Sequence, residues 1–217
     1  MSALTERLLE LLYPSRCVFC RNLMPPGVLC CEHCRRTLPY ALPAAQNRQL
    51  PHIESCVSAL RYEGAVRDSL LRYKFDSATS YAKIYGEILA KCIDENGISC
   101  DSITWIPLSR RRKWLRGYDQ AKLIAEETSL RLGVPCVRLL DKIRNNPAQS
   151  SRGGPAARRA NVADVYRCAA PDLTAGKRIL LIDDIVTTGA TLSAAASVLR
   201  KAGATAVVAA TVARAGD

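Results

Sequence analysis

The sequence has no apolar run long enough to cross a lipid bilayer. Its longest apolar stretches, Ile179–Ile182 and Ala206–Ala213, have the length of strands, whereas a transmembrane helix needs about 20 residues. The leucines near the N-terminus are interrupted by Glu6, Arg7 and Glu10, and no small-residue cleavage site follows them, so we expect no secretory signal. These absences predict a cytoplasmic protein without membrane insertion.

Aromatic and acidic residues are both scarce. Aromatic side chains make up 6% of the chain, which is too few for an extended surface on which nucleic-acid bases could stack. The 20 acidic residues stand against 31 basic ones, which gives a formal net charge of +11. Fourteen basic and five acidic residues lie between Arg110 and Arg167, so one segment holds most of the positive excess. Apolar residues make up 48%, enough for a packed globular core.

The chain has only two histidines but ten cysteines. Four of the cysteines form two Cys-x2-Cys pairs, Cys17 with Cys20 and Cys31 with Cys34. Because each pair aims two thiolates at one point, the pattern predicts a tetrahedral zinc site. A segment of about 40 residues buries too little surface to fold alone, so the metal would supply most of its folding free energy.

Several alternatives stay open for this cysteine-rich segment. Cys30 is adjacent to Cys31 and could replace it as the third ligand. The four cysteines could also be redox-active or buried thiols, or could hold an iron–sulfur centre. The two histidines, His33 and His52, are weaker ligand candidates because surface histidine is common.

Downstream of a linker at Pro39–Ala45, apolar strands alternate with helices. The pattern predicts strands at Cys56–Tyr62, Ile103–Leu108, Arg178–Asp183 and Ala206–Ala213, and helices at Tyr81–Ile93, Tyr118–Leu132 and Gly189–Ala202. Continuous apolar strands that alternate with helices indicate a parallel sheet covered on both faces. We therefore predict an N-terminal helix and a four-cysteine zinc ribbon in residues 1–45 and an α/β domain in residues 55–217.

The segment Ile179–Leu192 carries the strongest chemical signal. Four large apolar residues end at the adjacent carboxylates Asp183 and Asp184, and a turn with three threonines and Gly189 leads into a helix. Ligands bind beyond the carboxyl ends of strands in such sheets, and the turn's N–H groups and hydroxyls form a cradle for a phosphate monoester. The acids would repel that phosphate, so they fit sugar hydroxyls or a hard cation beside it. A 5-phosphoribose meets both requirements.

The alternative is that the two acids cap the strand end and that the threonines are ordinary helix caps. Against it, each carboxylate at the end of a buried strand needs compensation for its burial. This segment also resembles, without a gap, the phosphoribosyl-diphosphate (PRPP) signature of type I phosphoribosyltransferases. Further motifs resemble the ComF family of competence-associated proteins, namely Tyr62–Gly64 with Lys74-Phe75, Ile106–Ser109, Arg116–Ala121, and Gln149 with Arg158–Val162.

The resemblance implies a parallel-sheet type I phosphoribosyltransferase fold with a small N-terminal zinc ribbon of four cysteine ligands. It implies that Asp183 and Asp184 bind the ribose hydroxyls, directly or through Mg²⁺, and that the next residues hold the 5′-phosphate, namely Thr187, Thr188, Gly189, Ala190 and Thr191. Diphosphate would contact Pro107, Leu108, Ser109 and Arg110, with Arg116, Arg144, Arg152 and Arg158 as further cations. Because C1′–diphosphate cleavage passes through an oxocarbenium-like state, catalysis would rest on positioning and charge neutralisation. The catalytic candidates are Asp183, Asp184 and Arg116.

Two positions depart from the usual family pattern. Asp119 stands where family members usually have Asn, which places an acid next to the expected diphosphate region. Arg152–Gly154 stands near a position that is usually apolar, within a loop predicted at Asn145–Pro155. The sequence therefore does not identify the acceptor of the phosphoribosyl group.

Arg110–Arg116 is a cationic run with one aromatic side chain. The candidates for a single-stranded DNA groove are Arg111, Arg112, Lys113 and Trp114, with Trp114 as a stacking platform. The other interpretation of this segment is a solvated surface loop.

The sequence as a whole is consistent with two functions. One is Mg²⁺-dependent transfer of phosphoribosyl from PRPP to an unknown acceptor, with a link to competence. The other is a non-catalytic DNA-binding adaptor whose ribbon contacts DNA or a competence helicase. The two are compatible.

Overall fold

A computed structural model of the chain describes residues 14–41, 49–144 and 165–216. The strands are β1 (Cys56–Arg61), β2 (Ser102–Trp105), β3 (Leu140–Lys142), β4 (Tyr166–Cys168), β5 (Arg178–Val186) and β6 (Ala206–Arg214). The helices are α1 (Glu32–Thr37), α2 (Gly64–Phe75), α3 (Tyr81–Glu95), α4 (Arg110–Arg116), α5 (Gln120–Leu132), α6 (Pro171–Thr174) and α7 (Ala190–Lys201). None of the helices in these ranges is long and apolar enough to cross a membrane.

Four of the strands form one parallel sheet in the order β1-β6-β5-β2. Side chains alternate between the two faces of a strand, and β5 shows this directly. Leu180 and Ile182 pack in a core with α2, α3 and α5, whereas Ile179 and Leu181 pack in a second core with α7. The antiparallel hairpin of β3 and β4 also contributes to the second core. Both faces of the sheet are therefore covered, as the continuous apolar strands predict.

Close helix packing on the first face depends on a glycine. A Cβ atom added at Gly86 of α3 would lie 2.5 Å from the Cβ of Glu127 on α5. Because real Cβ atoms do not approach so closely, only glycine lets these two helices cross at this distance. The contact holds α5 against the sheet, and the first residue of α5 lines the cleft described below.

Several segments differ from the sequence-based expectation, among them the predicted strand Ile103–Leu108, which ends at Trp105. Helix α2 lies where no element was predicted. The run Arg110–Arg116 is a short helix, because the Ser109 side chain accepts a hydrogen bond from the Arg112 N–H at 3.4 Å and Gly117 ends the helix at φ 77°. Strand β5 continues past the predicted Asp183 to Val186, because β6 pairs with it as far as Arg214.

The cysteine-rich segment packs on α2 and α3 as part of the first core. Val18 and Phe19 are buried, and the Phe19 ring meets Tyr85 edge-on with its centroid at 6.2 Å. The Nη2 of Arg72 on α2 donates to the carbonyls of Val18 at 2.8 Å and Phe19 at 3.1 Å. The predicted division near residues 43–55 falls partly on residues 42–48, which lie outside the described ranges, and it stays a prediction.

Candidate active-site cleft and cysteine cluster

A cleft of about 500 Å³ opens at the carboxyl edge of the sheet, where β5 and the loop after β2 meet. The cleft brings together seven of the residues predicted for PRPP, namely Pro107, Leu108, Ser109, Arg116, Asp183, Asp184 and Thr191. Arg111 and Arg112, predicted for nucleic acid, also line it, together with Lys74, Gln120 and Lys142. Five of these side chains are cationic and two are acidic, so the lining favours a polyanion.

The two adjacent acids of β5 differ in their surroundings. The Asp184 carboxylate forms an ion pair of 2.8 Å with Lys74 Nζ, and both side chains are largely buried. The Asp183 carboxylate accepts a hydrogen bond from the Asp184 N–H at 2.9 Å. Burial, with the neighbouring Asp184 carboxylate, raises the pKa of Asp183 to about 8. Ionisation of Asp183 is therefore unfavourable in the free protein, and a bound cation or donor hydroxyls would favour the ionised carboxylate.

The turn after β5 leads into α7. Thr191 lines the cleft, whereas the lining does not include the predicted residues Thr187, Thr188, Gly189 and Ala190. Thr187, Thr188 and Thr191 are exposed, and the Ala190 N–H donates to Thr188 Oγ1 at 3.4 Å. Gly189 caps the helix with φ 79°, a conformation that glycine adopts without strain. A Cβ atom at this position would also lie 2.3 Å from Leu50 Cδ2. Both the backbone conformation and the contact with Leu50 therefore require glycine here.

We expect Gly189→Ala to lower the free energy of unfolding by about 2–5 kcal/mol, the sum of left-handed strain and overpacking. Urea unfolding at 25 °C measures the loss. In a Leu50→Ala background the overpacking disappears, and the loss should fall to about 1–2 kcal/mol from the backbone alone. An equal loss in both backgrounds would show that Leu50 does not restrict this position.

The Asp119 carboxylate binds backbone N–H groups of two segments. Asp119 is buried at the start of α5, where its carboxylate accepts from the Leu108 N–H at 3.1 Å and the Lys122 N–H at 3.4 Å. Burial raises its pKa, against the effect of these two N–H groups. Asp119 thus lies next to the loop that is predicted to contact diphosphate, as the sequence indicates, and its carboxylate is occupied by backbone donors. Asp119 ties the loop after β2 to α5 and holds Leu108 in place.

Lys142 is a cleft residue that sequence reasoning missed. It ends β3, and its ammonium lies 5.4 Å from the centroid of the Tyr166 ring on β4. Burial and the nearby Arg112 lower the pKa of Lys142, while Asp183 opposes that shift. No local pattern marks this lysine, because only the pairing of β3 with β4 brings it to the cleft.

Some of the cationic side chains of helix α4 line the cleft and others do not. Arg111, Arg112 and Arg116 line the cleft, whereas Arg110 and Lys113 are not part of that lining. Trp114 is 83% exposed to solvent. Arg144 also lies outside the cleft lining, and the predicted residues Gln149, Arg152, Arg158 and the rest of 145–164 lie outside the described ranges.

Residues 120–217 match the family described as Phosphoribosyl transferase domain. Competence protein F of Haemophilus influenzae is 28% identical over 211 residues, which cover 87% of this chain and 92% of that protein. Competence protein ComFC of Streptococcus pneumoniae is 32% identical over 143 residues, which cover 66% of this chain and 60% of that protein. The chain is therefore similar to proteins named competence proteins over most of its length.

The match to the phosphoribosyl transferase domain, together with the parallel sheet and the cysteine cluster, confirms the predicted fold class. Among solved structures, adenine phosphoribosyltransferase from Thermoanaerobacter pseudethanolicus is similar at 21% identity and a TM-score of 0.40. The match covers 76% of this chain and 82% of that one. So distant a similarity adds nothing to the assignment, which rests on the family match and the sheet.

The four cysteines of the two Cys-x2-Cys pairs converge on one point in the structure. The Sγ atoms of Cys17, Cys20, Cys31 and Cys34 all lie within 4.8 Å of one another. Four sulfurs around Zn²⁺ at about 2.3 Å would be separated by about 3.8 Å, close to the 3.7 Å between Cys20 and Cys31. The donor set and its spacing therefore fit a tetrahedral metal ion.

Cys30 lies outside this cluster, although it is adjacent to Cys31. Its Sγ lies 3.6 Å from the Cys31 carbonyl oxygen, and burial raises its pKa to about 12. For Cys17, burial opposes ionisation, but N–H groups of Cys31 and Cys20 outweigh it and lower the pKa to about 6. The geometry of the cluster therefore favours Cys31 over Cys30 as the third ligand.

Proposed function

We propose that this protein binds PRPP in the cleft and transfers its phosphoribosyl group to an acceptor. The observation that carries the proposal is that Asp183 and Asp184 line one cleft with five cations and with Thr191, which follows the threonine–glycine turn. The turn offers N–H groups and hydroxyls to the 5′-phosphate. The acids offer carboxylate oxygens to the ribose hydroxyls, and the cations face the remaining diphosphate.

We assign the diphosphate to Arg111, Arg112 and Lys142. These three cations line the cleft, and no described acid forms an ion pair with any of them. Lys74 is less suited, because Asp184 already neutralises it at 2.8 Å. A bound diphosphate would supply the negative charge that makes the buried ammonium of Lys142 favourable.

Carboxylate oxygens are ligands that Mg²⁺ accepts, and Asp183 and Asp184 are the residues that would hold it with the substrate. When bound, Mg²⁺ neutralises charge that builds up on the leaving diphosphate. In the transfer, a bond forms between the acceptor atom and C1′, and the C1′–oxygen bond breaks. Diphosphate leaves with the electron pair, and any proton on the attacking atom passes to water. The protein contributes position and charge.

The test is a calorimetric titration of PRPP with Mg²⁺ into the wild-type protein and two matched variants. Asp184→Asn removes the charge that pairs with Lys74, whereas Asp94→Asn makes the same change at an exposed position of α3. We expect Asp184→Asn to weaken binding by about tenfold or more, the usual cost of a lost charged hydrogen bond, and Asp94→Asn to bind as wild type. A wild-type protein that binds no PRPP would refute the proposal.

We infer that the cysteine cluster holds structural Zn²⁺ and that the protein acts in DNA uptake. The cluster has four sulfur ligands and no position for a substrate, which is typical of structural zinc sites. The link to DNA uptake rests on the relatives that are named competence proteins. Zinc would fix the segment that packs on α2, the helix that carries Lys74.

A second function, binding of single-stranded DNA, is favoured by one observation. Trp114 is 83% exposed on α4 between Lys113 and Arg116, outside the cleft lining. An exposed ring among cations can stack a base while its neighbours contact phosphates. Because Arg110 and Lys113 do not line the cleft, this function can be separated from PRPP binding.

We expect the double substitution Arg110→Glu with Lys113→Glu to weaken single-stranded DNA binding and to flatten its dependence on salt. Each lost phosphate contact lowers the slope of log affinity against log salt by about one, so the expected change is about two. Fluorescence anisotropy of a labelled oligonucleotide measures it. Lys83→Glu with Lys177→Glu makes the same charge change at exposed positions outside α4. Equal losses in the two double variants would point to net charge alone.

A further inference from the structure

We propose that the phosphoribosyl acceptor binds on a shelf formed by Phe75, Arg116 and Gln120, and that it is a planar aromatic ring with one negative charge. The inference rests on the proposed function, since it names the substrate class of the same site. A second cavity of about 420 Å³ adjoins the cleft, with a lining of Lys74, Phe75, Ser77, Arg112, Leu115 and Arg116. Four of these residues also line the cleft, so the two spaces are continuous.

The first element of the shelf is an exposed aromatic ring. Phe75 ends α2 and is 68% exposed to solvent, directly after the Lys74 that pairs with Asp184. The guanidinium carbon of Arg116 lies 5.3 Å from the centroid of its ring. A flat ligand that stacks on Phe75 would therefore lie next to a positive charge.

The second element is a buried donor without a partner. The Gln120 side chain lines the cleft and is 1% exposed, and its Nε2 has no hydrogen-bond partner among the described residues. Its Oε1 accepts from Arg116 Nη1 at 3.0 Å. This bond fixes the orientation of the amide, because the opposite orientation would set two donors against each other. A buried amide N–H that lacks an acceptor is costly, and a ligand oxygen or ring nitrogen would satisfy it.

The shelf is held in place from both sides. The Tyr73 hydroxyl donates to the Gln120 carbonyl at 3.0 Å, and the Tyr118 hydroxyl donates to the Tyr73 carbonyl. These two bonds connect the end of α2 to the start of α5, which are the segments that carry Phe75 and Gln120. A site whose groups are already fixed loses little conformational freedom when a ligand binds.

The charges of the second cavity indicate a monoanion. Its lining contains three cations, Lys74, Arg112 and Arg116, and no carboxylate. Asp184 neutralises Lys74, and we assign Arg112 to diphosphate. Arg116 then remains, and within the described ranges its guanidinium donates a hydrogen bond only to the neutral Gln120 side chain. One carboxylate or ring oxyanion on the acceptor would pair with Arg116 and accept from Gln120 Nε2.

The test uses calorimetric titrations with Mg²⁺ and diphosphate present, so that binding is measured without transfer. The probes are orotate and nicotinate as planar monoanions, adenine as a planar neutral ring, and acetate as a small anion. We expect at least one planar monoanion to bind about tenfold more tightly than adenine and acetate. Phe75→Ala and Gln120→Leu should each weaken it about tenfold, as expected for one lost stacking or polar contact. Phe75→Tyr should keep the affinity.

Leu130→Ala, a truncation of an exposed apolar side chain on α5, is the matched control and should bind the probe as wild type. The inference is overturned if neither planar monoanion binds more tightly than adenine and acetate, or if Phe75→Ala and Gln120→Leu bind it as wild type. Melting curves identify a variant that has unfolded. If Phe75→Ala has unfolded, the affinity of Phe75→Tyr, which should equal that of wild type, takes its place in the comparison.

PRPP titrated into the wild-type protein distinguishes failure of the proposed function from failure of the acceptor site. Without PRPP binding the proposed function falls and takes the acceptor site with it, whereas PRPP binding without probe binding removes the acceptor site alone.

Discussion

Cys31→Ser should abolish zinc binding and unfold the cysteine-rich segment, whereas Cys30→Ser should leave both unchanged. The two residues are adjacent, but only the Cys31 Sγ belongs to the four-sulfur cluster. Structural Zn²⁺ contributes about 10–16 kcal/mol of apparent binding free energy to small domains, so the loss of one ligand has a large effect. Metal analysis should give one zinc per chain for wild type and Cys30→Ser, and much less for Cys31→Ser.

The consequences of zinc loss should extend to the first core. Val18 and Phe19 pack against α3 and accept hydrogen bonds from Arg72 of α2. Chelation of the metal should therefore lower the melting temperature of the whole protein, measured by circular dichroism, and not only of residues 14–41. A metal content that falls equally in both serine variants would contradict the choice of Cys31. A protein that melts at the same temperature with and without zinc would contradict the structural role.

Asp183→Asn should stabilise the free protein at high pH while it weakens PRPP binding. The pKa of Asp183 is raised to about 8 by burial and by the Asp184 carboxylate. A carboxyl whose pKa is higher in the folded state stabilises the fold most when it is protonated. Its contribution is complete below the unfolded value of about 3.9 and is lost as the pH rises through 8. The asparagine variant does not undergo this loss.

The measurement is urea unfolding of both proteins from pH 5 to pH 9, without PRPP or Mg²⁺. The variant's advantage should be smallest at pH 5 and largest at pH 9, and it should grow by at most about 1.4 kcal/mol per pH unit. Asp94→Asn, at an exposed position of α3, serves as the control and should show no such trend. An advantage that does not change with pH would show that the Asp183 carboxyl is not destabilised by its surroundings.

The parts of the site that lie within one stretch of sequence could be predicted. The acids and the turn of Ile179–Leu192 follow one buried strand, and their placement at the carboxyl edge follows from the parallel sheet. The two Cys-x2-Cys pairs likewise predict the four sulfurs that the structure brings together. Sequence reasoning left Cys30 and Cys31 open, because two or three residues between a cysteine and Cys34 both suit a zinc site. Only the backbone conformation decides between them.

The remaining parts of the site depend on contacts between distant segments. Lys74 reaches Asp184 because α2 lies on the sheet, yet α2 was not predicted. One of its core positions is Ser69, whose hydroxyl shares a hydrogen bond of 2.6 Å with Tyr85. A polar side chain in the core interrupts the apolar pattern on which helix prediction relies. Lys142 depends in the same way on the β3–β4 hairpin, which was not predicted either. The cap that Asp119 forms at the start of α5 likewise depends on its contact with the Leu108 N–H.

The most direct test of the account is a crystal structure of the protein with PRPP and Mg²⁺ bound. The account predicts the ribose hydroxyls on Asp183 and Asp184, and the 5′-phosphate in the turn from Thr187 to Thr191. It also predicts the diphosphate facing Arg111, Arg112 and Lys142. Density for PRPP away from the β5 acids, or a cleft closed by side chains at saturating PRPP, would contradict it.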